Sequence, residues 1–148
     1  MIPYLNMLDQ LDPANHKETG FKVLDLFAGC GGLGLGFEAA GFETIGMEMD
    51  QDACESYNKN LSGKCIHQKL SADSSFPDCD VIIGGPPCQP FSVGGKQLGL
   101  KDSRDGFPIF IKAVEVLQPK IWLFENVRGM AYRNKDYLKE ILNELEQL

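Results

Sequence analysis

Short apolar runs that alternate with helical segments constrain the fold of this chain more than any other feature of its sequence. The runs are rich in β-branched and aromatic residues, and the candidate strands are Phe21–Phe27, Thr44–Glu48, Lys64–His67, Asp80–Gly84 and Lys120–Glu125. Strands that alternate with helices predict βαβ units with right-handed crossovers. We therefore expect an α/β fold whose doubly wound, mainly parallel sheet is Rossmann-like.

Helical segments fill the intervals between these runs. The predicted helices are the segment after the glycine-rich turn Gly29–Gly36, ending near Ala40, and the segments Gln51–Asn60, Phe107–Leu117 and Asp136–Leu148. In the last segment the apolar residues recur three and four positions apart, which is the spacing of one helix face. Residues 1–20 read as an arm or short helix ahead of the first strand. We expect one domain over residues 1–148.

Composition and charge exclude several classes of protein. Of the 148 residues, 43% are hydrophobic and 24% are charged, as in an ordinary soluble domain. No apolar run approaches the roughly 20 residues that cross a bilayer, and the N-terminus lacks the pattern of a secretory signal. The five cysteines include no C-x-x-C pair, which argues against a zinc site or a disulfide framework. We expect a cytoplasmic protein with no membrane span and no bound metal.

The first candidate site is the glycine-rich turn after the first strand. Residues 25–36, DLFAGCGGLGLG, contain a G-x-G-x-x-G pattern between a strand and a helix, where glycines let the backbone approach a nucleotide closely. Glu48 ends the next strand, where its carboxylate can accept both ribose hydroxyls. Asp25 places a second carboxylate before the turn, suited to a cationic amino acid group. The pattern fits S-adenosylmethionine, although the spacing alone also fits a nicotinamide cofactor or a plain tight turn.

The second candidate site is a stiff loop that follows the apolar run DVIIG. In residues 84–92, GGPPCQPFS, three prolines fix the backbone around a single cysteine. A deprotonated cysteine is a strong nucleophile, so the loop is a candidate for covalent catalysis. A structural turn with a buried thiol is the alternative. The loop lies at the carboxyl end of a strand, where open α/β sheets bind their ligands.

Three segments taken together resemble the conserved motifs of the DNA cytosine-5 methyltransferases. DLFAGCGGLGLGFE, GGPPCQPFS and ENVRG are similar to the first, fourth and sixth motifs of that family, and they occur in the family's order. The resemblance runs from about Val23 to the last residue. It implies an S-adenosylmethionine-dependent methyltransferase fold and an enzyme that methylates cytosine in double-stranded DNA, as in restriction–modification.

By motif position, the resemblance implies that Cys88 is the nucleophile and Glu125 its acid partner, with Asn126 positioning the acid or the base. Thiolate addition at C6 of cytosine, with a proton or hydrogen bond supplied at N3, turns C5 into a carbon that attacks the sulfonium methyl group. Loss of the C5 proton then expels the cysteine. Because Glu125 ends an apolar strand, we expect it to be buried enough to hold a proton near neutrality. An ion pair with Arg128 or a lysine is the alternative. The base must leave the duplex to reach the thiol.

The resemblance also implies the remaining site residues. Those around the cofactor would be Asp25, Phe27, Ala28, Gly29, Gly31, Gly32, Glu48, Met49 and Pro86. Those beside DNA would be Gln89, Ser92, Arg104 and Arg128. In this assignment Met49 packs on the adenine and Pro86 lies near the methyl group. Residues 94–106 would form the loop that closes over DNA in this family.

Two departures from the family's pattern bear on the expected activity. The family's aspartate after the third strand is replaced by His67, or by Lys69 if a small gap is allowed, while Asp73 is too far along the chain. The fold is also expected to be incomplete on its C-terminal side, because the family continues with further strands and a target-recognition domain. A split-enzyme subunit completed by a second chain, a truncated gene product and an excised fragment remain open. Each predicts low activity for this chain alone.

The net charge of −7 is unusual for a protein that binds DNA, since phosphate binding needs lysine and arginine. We expect the basic surface to lie in the absent region. An RNA cytosine-5 methyltransferase with the same motifs and an inactive S-adenosylmethionine-binding remnant are the rival interpretations. A nicotinamide dehydrogenase would leave PPCQPFS and ENVRG unexplained.

Overall fold

Strands and helices alternate along the chain as the sequence predicts. The computed structural model describes residues 17–88, 105–132 and 134–148. Its elements are β1 (Lys22–Leu26), α1 (Gly32–Glu38), β2 (Glu43–Glu48), α2 (Gln51–Asn60), β3 (Lys64–His67), β4 (Val81–Gly84), α3 (Phe107–Leu117), β5 (Ile121–Phe124), α4 (Gly129–Tyr132) and α5 (Lys135–Leu145). The predicted strands and helices are all present, with ends displaced by three residues at most. Among the elements that the structure describes, only the short helix α4 was not predicted.

The five strands form one parallel sheet in the order β3-β2-β1-β4-β5. The chain winds outward from β1 to β3 on one side and from β4 to β5 on the other. In the register, Leu26 of β1 lies beside both Met47 and Gly84, so the carboxyl ends of the three central strands meet at one edge. The direction of winding reverses between β1 and β4, which is where such sheets bind ligands. The doubly wound Rossmann-like fold is confirmed.

The main core lies between one face of the sheet and the helices α3 and α5. Leu24 and Ile82 point from the central strands into this layer, where they join Phe107, Phe110 and Ile141, all fully buried. The ring of Phe107 meets that of Phe124 edge to face, with 5.1 Å between centroids. This layer holds α3 and α5 against β4 and β5, the two strands that carry the candidate catalytic segments.

The opposite face of the sheet is covered unevenly. Side chains of α1, including Leu33 and Phe37, pack on Val23, Val81 and Ile83 of the central strands. The same face of β5 presents Ile121 and Leu123, which pair in register with Val81 and Ile83. Their side chains are 61% and 45% exposed. An apolar strip therefore continues along β5 beyond the cover of α1.

A buried carboxylate ties α1 to β2 at the amino end of the sheet. Glu38 accepts hydrogen bonds from Thr44 Oγ1 at 2.6 Å and from the backbone N–H groups of Ser62 and Gly63 at 2.8 and 2.7 Å. The hydroxyl of Tyr57 donates to Thr44 Oγ1 at 2.7 Å. Burial of an acidic group is tolerated here because its oxygens have hydrogen-bond donors. The network fixes α1, and with it the glycine-rich turn that α1 follows.

Gly31 begins α1 where no side chain fits. Its φ of 86° lies in the left-handed region, and an added Cβ would be 2.7 Å from Tyr57 Cδ2 and 2.9 Å from Leu61 Cδ1. Its N–H donates to Ala28 O at 2.9 Å, which closes the turn. The turn can therefore pack against α2 only if this position is glycine.

We expect Gly31→Ala to lower the free energy of unfolding by roughly 2–4 kcal/mol, since the variant combines a strained φ with overlap against α2. Urea denaturation followed by circular dichroism measures the change. Gly36→Ala, in the same helix but with nothing near its added Cβ, is the matched control and should be neutral or stabilising by up to about 1 kcal/mol. Equal effects of the two substitutions would contradict the close packing of the turn.

Candidate functional site

A cavity of about 530 Å³ opens at the carboxyl ends of the strands, at the switch between β1 and β4. It is lined by Phe27, Met47, Glu48, Met49, Gln68, Lys69, Leu70, Gly85, Pro87, Asp105, Gly106 and Ile109. This volume is in the range of pockets that hold nucleotide-sized ligands. Three of the predicted cofactor residues, Phe27, Glu48 and Met49, lie on its wall.

Glu48 organises the cavity wall through its carboxylate. Oε2 accepts the N–H of Gly29 at 2.9 Å, and Oε1 accepts those of Met49 and Asp50, both at 2.8 Å. A carboxylate has about four acceptor directions. One direction therefore remains for a ligand hydroxyl, and a second ligand bond would replace one of the backbone bonds.

The glycine-rich turn depends on unusual backbone conformations. Phe27, Gly29 and Gly31 all have positive φ, at 59°, 53° and 86°. For a non-glycine residue such as Phe27 this conformation costs about 1 kcal/mol or more, and such residues cluster at functional sites. It places Phe27 on the cavity wall, while Ala28 is buried against α2. An added Cβ at Gly32, the first residue of α1, would meet open space.

Asp25 is enclosed rather than open to the cavity. Its side chain is 1% exposed, and its Oδ2 has no hydrogen-bond partner. An added Cβ at Gly34 would lie 3.2 Å from this oxygen, so the carboxyl group lies beneath α1. Burial, aided by the charge of Glu48, raises the pKa of Asp25 to about 7. Direct contact of Asp25 with a cationic ligand group stays a prediction. Its position beneath α1 is that of a buried side chain that supports the glycine-rich turn.

The raised pKa makes stability depend on pH in a defined direction. Folded Asp25 keeps its proton up to about pH 7, whereas the unfolded chain releases it near pH 4. The contribution of this group to the unfolding free energy is therefore full below about pH 4, decreases as the pH rises, and is lost above about pH 7.

In Asp25→Asn this dependence disappears. We expect the unfolding free energy of the variant, relative to that of the native chain, to increase by roughly 3 kcal/mol between pH 4 and pH 8. Urea titrations across that range measure the difference. Asp73→Asn, at an exposed loop position, is the control. A difference that stays constant with pH would contradict the enclosed state of Asp25.

A second cleft of about 370 Å³ adjoins the cavity at Gly85 and Pro87 and contains the predicted catalytic residues. Its lining residues are Gly85, Pro86, Pro87, Cys88, Glu125, Asn126 and Val127. The cleft forms because β4 and β5 are parallel neighbours, with Gly84 beside Phe124 in register. The segments that leave these two strands therefore run side by side. The fold thus brings Cys88, Glu125 and Asn126 together, although they are far apart in sequence.

Hydrogen bonds join the two segments of this cleft. Asn126 Nδ2 donates to Pro86 O at 2.9 Å, and Asn126 Oδ1 accepts the N–H of Val127 at 2.9 Å. The N–H of Glu125 donates to Gly84 O, also at 2.9 Å. Asn126 therefore holds the Pro-Pro-Cys loop by its backbone, and its predicted role in positioning the acid or the base stays a prediction.

The expectation that Glu125 is buried is wrong for this chain. Its side chain is exposed, because β5 lies at the edge of the sheet among the described strands. Arg128, the alternative ion-pair partner, is also exposed, and its Cζ lies 5.2 Å from the centre of the Tyr132 ring. Desolvation of Glu125 therefore requires a bound macromolecule or further polypeptide over this edge.

Cys88 is half-buried in the Pro-Pro-Cys loop. Burial raises the pKa of the Cys88 thiol, and the nearby carboxylate of Asp105 acts in the same direction. Only the thiolate is a strong nucleophile. The chain by itself therefore holds Cys88 in its unreactive thiol form at neutral pH.

The segment after β3, where the resemblance implies an aspartate, contributes to the cavity wall. His67, the last residue of β3, is exposed, and its Nε2 lies 3.0 Å from Met49 O. Gln68, Lys69 and Leu70 form this part of the cavity wall, so Lys69 is the better placed of the two sequence candidates. Asp73 is not among the lining residues. Gln68 was missed as a cavity residue because a single sequence does not show which residues after β3 line the cavity.

Several predicted residues fall in parts of the chain that the structure does not describe. Gln89, Ser92 and Arg104 lie in residues 89–104, as does most of the predicted DNA-closing loop. The end of that loop, Asp105 and Gly106, is described and lines the cavity. Sequence analysis missed both residues as site residues. An Asp-Gly pair directly before a predicted helix is typical of a helix N-terminus, and this signal could have identified both residues.

The described ranges hold neither a candidate metal cluster nor a candidate membrane span. Residues 17–88, 105–132 and 134–148 contain no group of three or more His, Cys, Asp or Glu side chains that could hold a metal ion. Within the same ranges, no helix combines the length and the apolar character needed to span a membrane.

Comparisons with known proteins indicate one family. The family model described as C-5 cytosine-specific DNA methylase matches residues 21–148. The chain is 61% identical over 132 residues to the Type II methyltransferase M.AplI of Arthrospira platensis, an alignment that covers 88% of this chain and 38% of that protein. The chain thus spans well under half the length of this relative.

Solved structures share the fold. A crystal structure of a Spodoptera frugiperda DNMT2 mutant matches with a TM-score of 0.61 and 24% identity, covering 85% of this chain and 41% of that one. A T. thermophilus 16S rRNA methyltransferase in complex with AdoMet and guanosine matches with a TM-score of 0.56 and 25% identity, covering 90% and 35%. The sheet is therefore of the S-adenosylmethionine-dependent methyltransferase type.

Proposed function

Because this chain belongs to the family of C-5 cytosine-specific DNA methylases, we propose that it binds S-adenosylmethionine and forms the catalytic half of an enzyme that methylates C5 of cytosine in double-stranded DNA. The observation that carries the proposal is the junction of the two clefts. The 530 Å³ cavity and the 370 Å³ cleft share Gly85 and Pro87. A methyl donor in the first and a cytosine in the second would face each other across this stretch of backbone.

The cavity offers groups that suit the parts of S-adenosylmethionine. Glu48 has an acceptor direction left for a ribose hydroxyl. Met49, 64% exposed beside it, offers a polarisable surface for a flat adenine ring. The open space at Gly29 and Gly32 lets the turn approach a ligand with its backbone. When bound, the cofactor supplies an electrophilic methyl group on its sulfonium.

The second cleft supplies the groups that activate cytosine. In the proposed reaction Cys88 adds as thiolate to C6, while Glu125 donates a proton or hydrogen bond at N3. C5 then takes the methyl group, its proton leaves to a base, and the C6–sulfur bond breaks. Since burial and Asp105 raise the pKa of Cys88 in the chain alone, thiolate formation depends on the surroundings that bound DNA provides.

We propose that further polypeptide covers the outer side of β5. Among the described strands β5 pairs only with β4, and Ile121 and Leu123 expose an apolar strip beside that edge. M.AplI extends well beyond the part that this chain matches. Equivalent polypeptide, from a second chain or from a longer form of this one, would bury the strip and enclose Glu125. It would also carry the basic surface that a chain of net charge −7 needs to bind DNA.

Cofactor binding is tested by calorimetric titration with S-adenosylhomocysteine. We expect Glu48→Ala to weaken binding by roughly 10- to 100-fold, because a hydrogen-bonded carboxylate is removed from the cavity wall. Glu55→Ala, on the exposed face of α2, removes the same charge elsewhere and should leave the affinity unchanged. Equal affinities of the two variants would count against the proposed ribose site.

Covalent catalysis is tested by trapping on duplex DNA that contains 5-fluorocytosine, because fluorine at C5 prevents release of the cysteine. The reaction contains S-adenosylmethionine and the part of M.AplI that this chain does not match. We expect a denaturation-resistant protein–DNA adduct on the native chain, no adduct on Cys88→Ala, and a retained adduct on Cys30→Ala, whose cysteine is exposed on the glycine-rich turn.

Two other outcomes would overturn the proposal in different ways. Adduct formation on a single-stranded or folded RNA substrate but not on duplex DNA would indicate an RNA methyltransferase. Tight binding of S-adenosylhomocysteine without any adduct would indicate an S-adenosylmethionine-binding protein that does not catalyse transfer.

A further inference from the structure

A buried contact beside Cys88 has no part in the proposed chemistry. Asp105, 5% exposed, forms an isolated antiparallel bridge with Cys88. Its Oδ1 accepts the N–H of Phe107 at 3.0 Å, in the first turn of α3. Its Oδ2 accepts a hydrogen bond from the hydroxyl of Tyr137, a residue of α5 that is 6% exposed. One residue therefore connects the three parts: its backbone contacts the Pro-Pro-Cys loop, and its carboxylate contacts α3 and α5.

The neighbouring residue tightens this connection. The N–H of Gly106 donates to Pro87 O at 2.9 Å. An added Cβ at Gly106 would lie 2.4 Å from Pro87 Cδ and 3.0 Å from Pro86 Cβ. The segment at Gly106 therefore packs directly against the Pro-Pro-Cys loop. Tyr137 itself is fixed, because its ring meets that of Phe107 edge to face at 6.1 Å.

The charge of Asp105 does not suit an activating role. A carboxylate next to a thiol opposes formation of the thiolate, and Asp105 has this effect on Cys88. Among the described residues, other ionisable groups near the thiol are Glu125 across the cleft and Tyr137 on α5, with Glu140 near Tyr137. A side chain whose role was to promote thiolate formation at Cys88 would not carry a negative charge. The contacts of Asp105 indicate instead that it holds the Pro-Pro-Cys loop against α3 and α5.

We propose that Asp105 and Tyr137 are positioning residues for Cys88: their buried hydrogen bond fastens the Pro86–Cys88 loop to α5, and so keeps the thiol at the mouth of the cleft beside Glu125. The catalytic meaning of this contact rests on the proposed function. The contact itself is a property of the chain and can be measured without DNA. The restraint couples the nucleophile to α5, a helix that lies outside both clefts.

The test is the rate at which iodoacetamide alkylates Cys88 in the full 148-residue chain, followed by peptide mass spectrometry from about pH 7 to about pH 11.5, because the plateau lies above the raised pKa of the thiol. Cys30, which is exposed, is the internal reference in each sample. The midpoint of the pH–rate curve reports the charge around the thiol, and the plateau at high pH reports access to the thiolate. These two quantities separate electrostatic from positional effects.

The two variants should change different quantities. In Tyr137→Phe we expect the plateau rate of Cys88 to rise roughly fivefold without a lower midpoint, because loss of a typical hydrogen bond favours opening of the loop by about that factor. In Asp105→Asn, which keeps the shape and an acceptor oxygen, we expect the midpoint to move to lower pH. Tyr132→Phe, at a tyrosine that is 66% exposed on α4, should match the native chain.

Plateaus and midpoints that match the native chain in both variants would overturn the proposal. A lower midpoint in Asp105→Asn with an unchanged plateau in Tyr137→Phe would also overturn it, since Asp105 would then act by charge alone. Circular dichroism melting confirms that each variant is folded. If Tyr137→Phe does not fold, Tyr137→Trp, which keeps a ring and a donor, should preserve the native rates. A failure of DNA trapping with altered Cys88 alkylation would count against the proposed function and not against this contact.

Discussion

The parallel pairing of β1 with β2 on one side and β4 on the other is the constraint on which the rest of the structure depends. It sets Leu26, Met47 and Gly84 at one level, so three loops leave the sheet at the same edge. The pairing of β4 with β5 then adds the segment that follows Phe124. The cavity and the cleft lie at these four exits, with the segment after β3 adding to the cavity wall, and they adjoin because β4 lies beside both β1 and β5.

Acidic side chains close to the loops hold these exits in shape. Glu48 accepts hydrogen bonds from three backbone N–H groups at the end of β2, and Asp25, whose pKa burial raises to about 7, lies enclosed behind the glycine-rich turn. Asp105 has the corresponding role beside the candidate catalytic cleft, where it contacts both Cys88 and Tyr137. On each side an acidic side chain organises backbone close to the ligand space. These groups lie within the described residues of this chain, whereas Glu125 at the β5 edge is exposed.

Much of the fold and part of the site could be predicted, because their signals are local. Alternating apolar runs and helical spacing are enough to place every strand, and the glycines and prolines mark the two functional turns. Gln68 and Gly106 were missed as wall residues because their roles depend on neighbours distant in the chain. The exposure of Glu125 was mispredicted for the same reason: an apolar strand is buried only if another element covers both of its sides.

The sequence by itself determined the order of elements, the glycine-rich turn, the Pro-Pro-Cys loop and the family motifs, since each is written in adjacent residues. Only the tertiary structure decided which carboxylates face a ligand and which support the backbone. Asp25 and Glu48 look alike as strand-end acids, yet one is enclosed beneath α1 and the other lines the cavity. The physical reason is packing: the surroundings of a side chain are set by elements that meet it from elsewhere in the chain, as Tyr137 meets Asp105 across 32 residues.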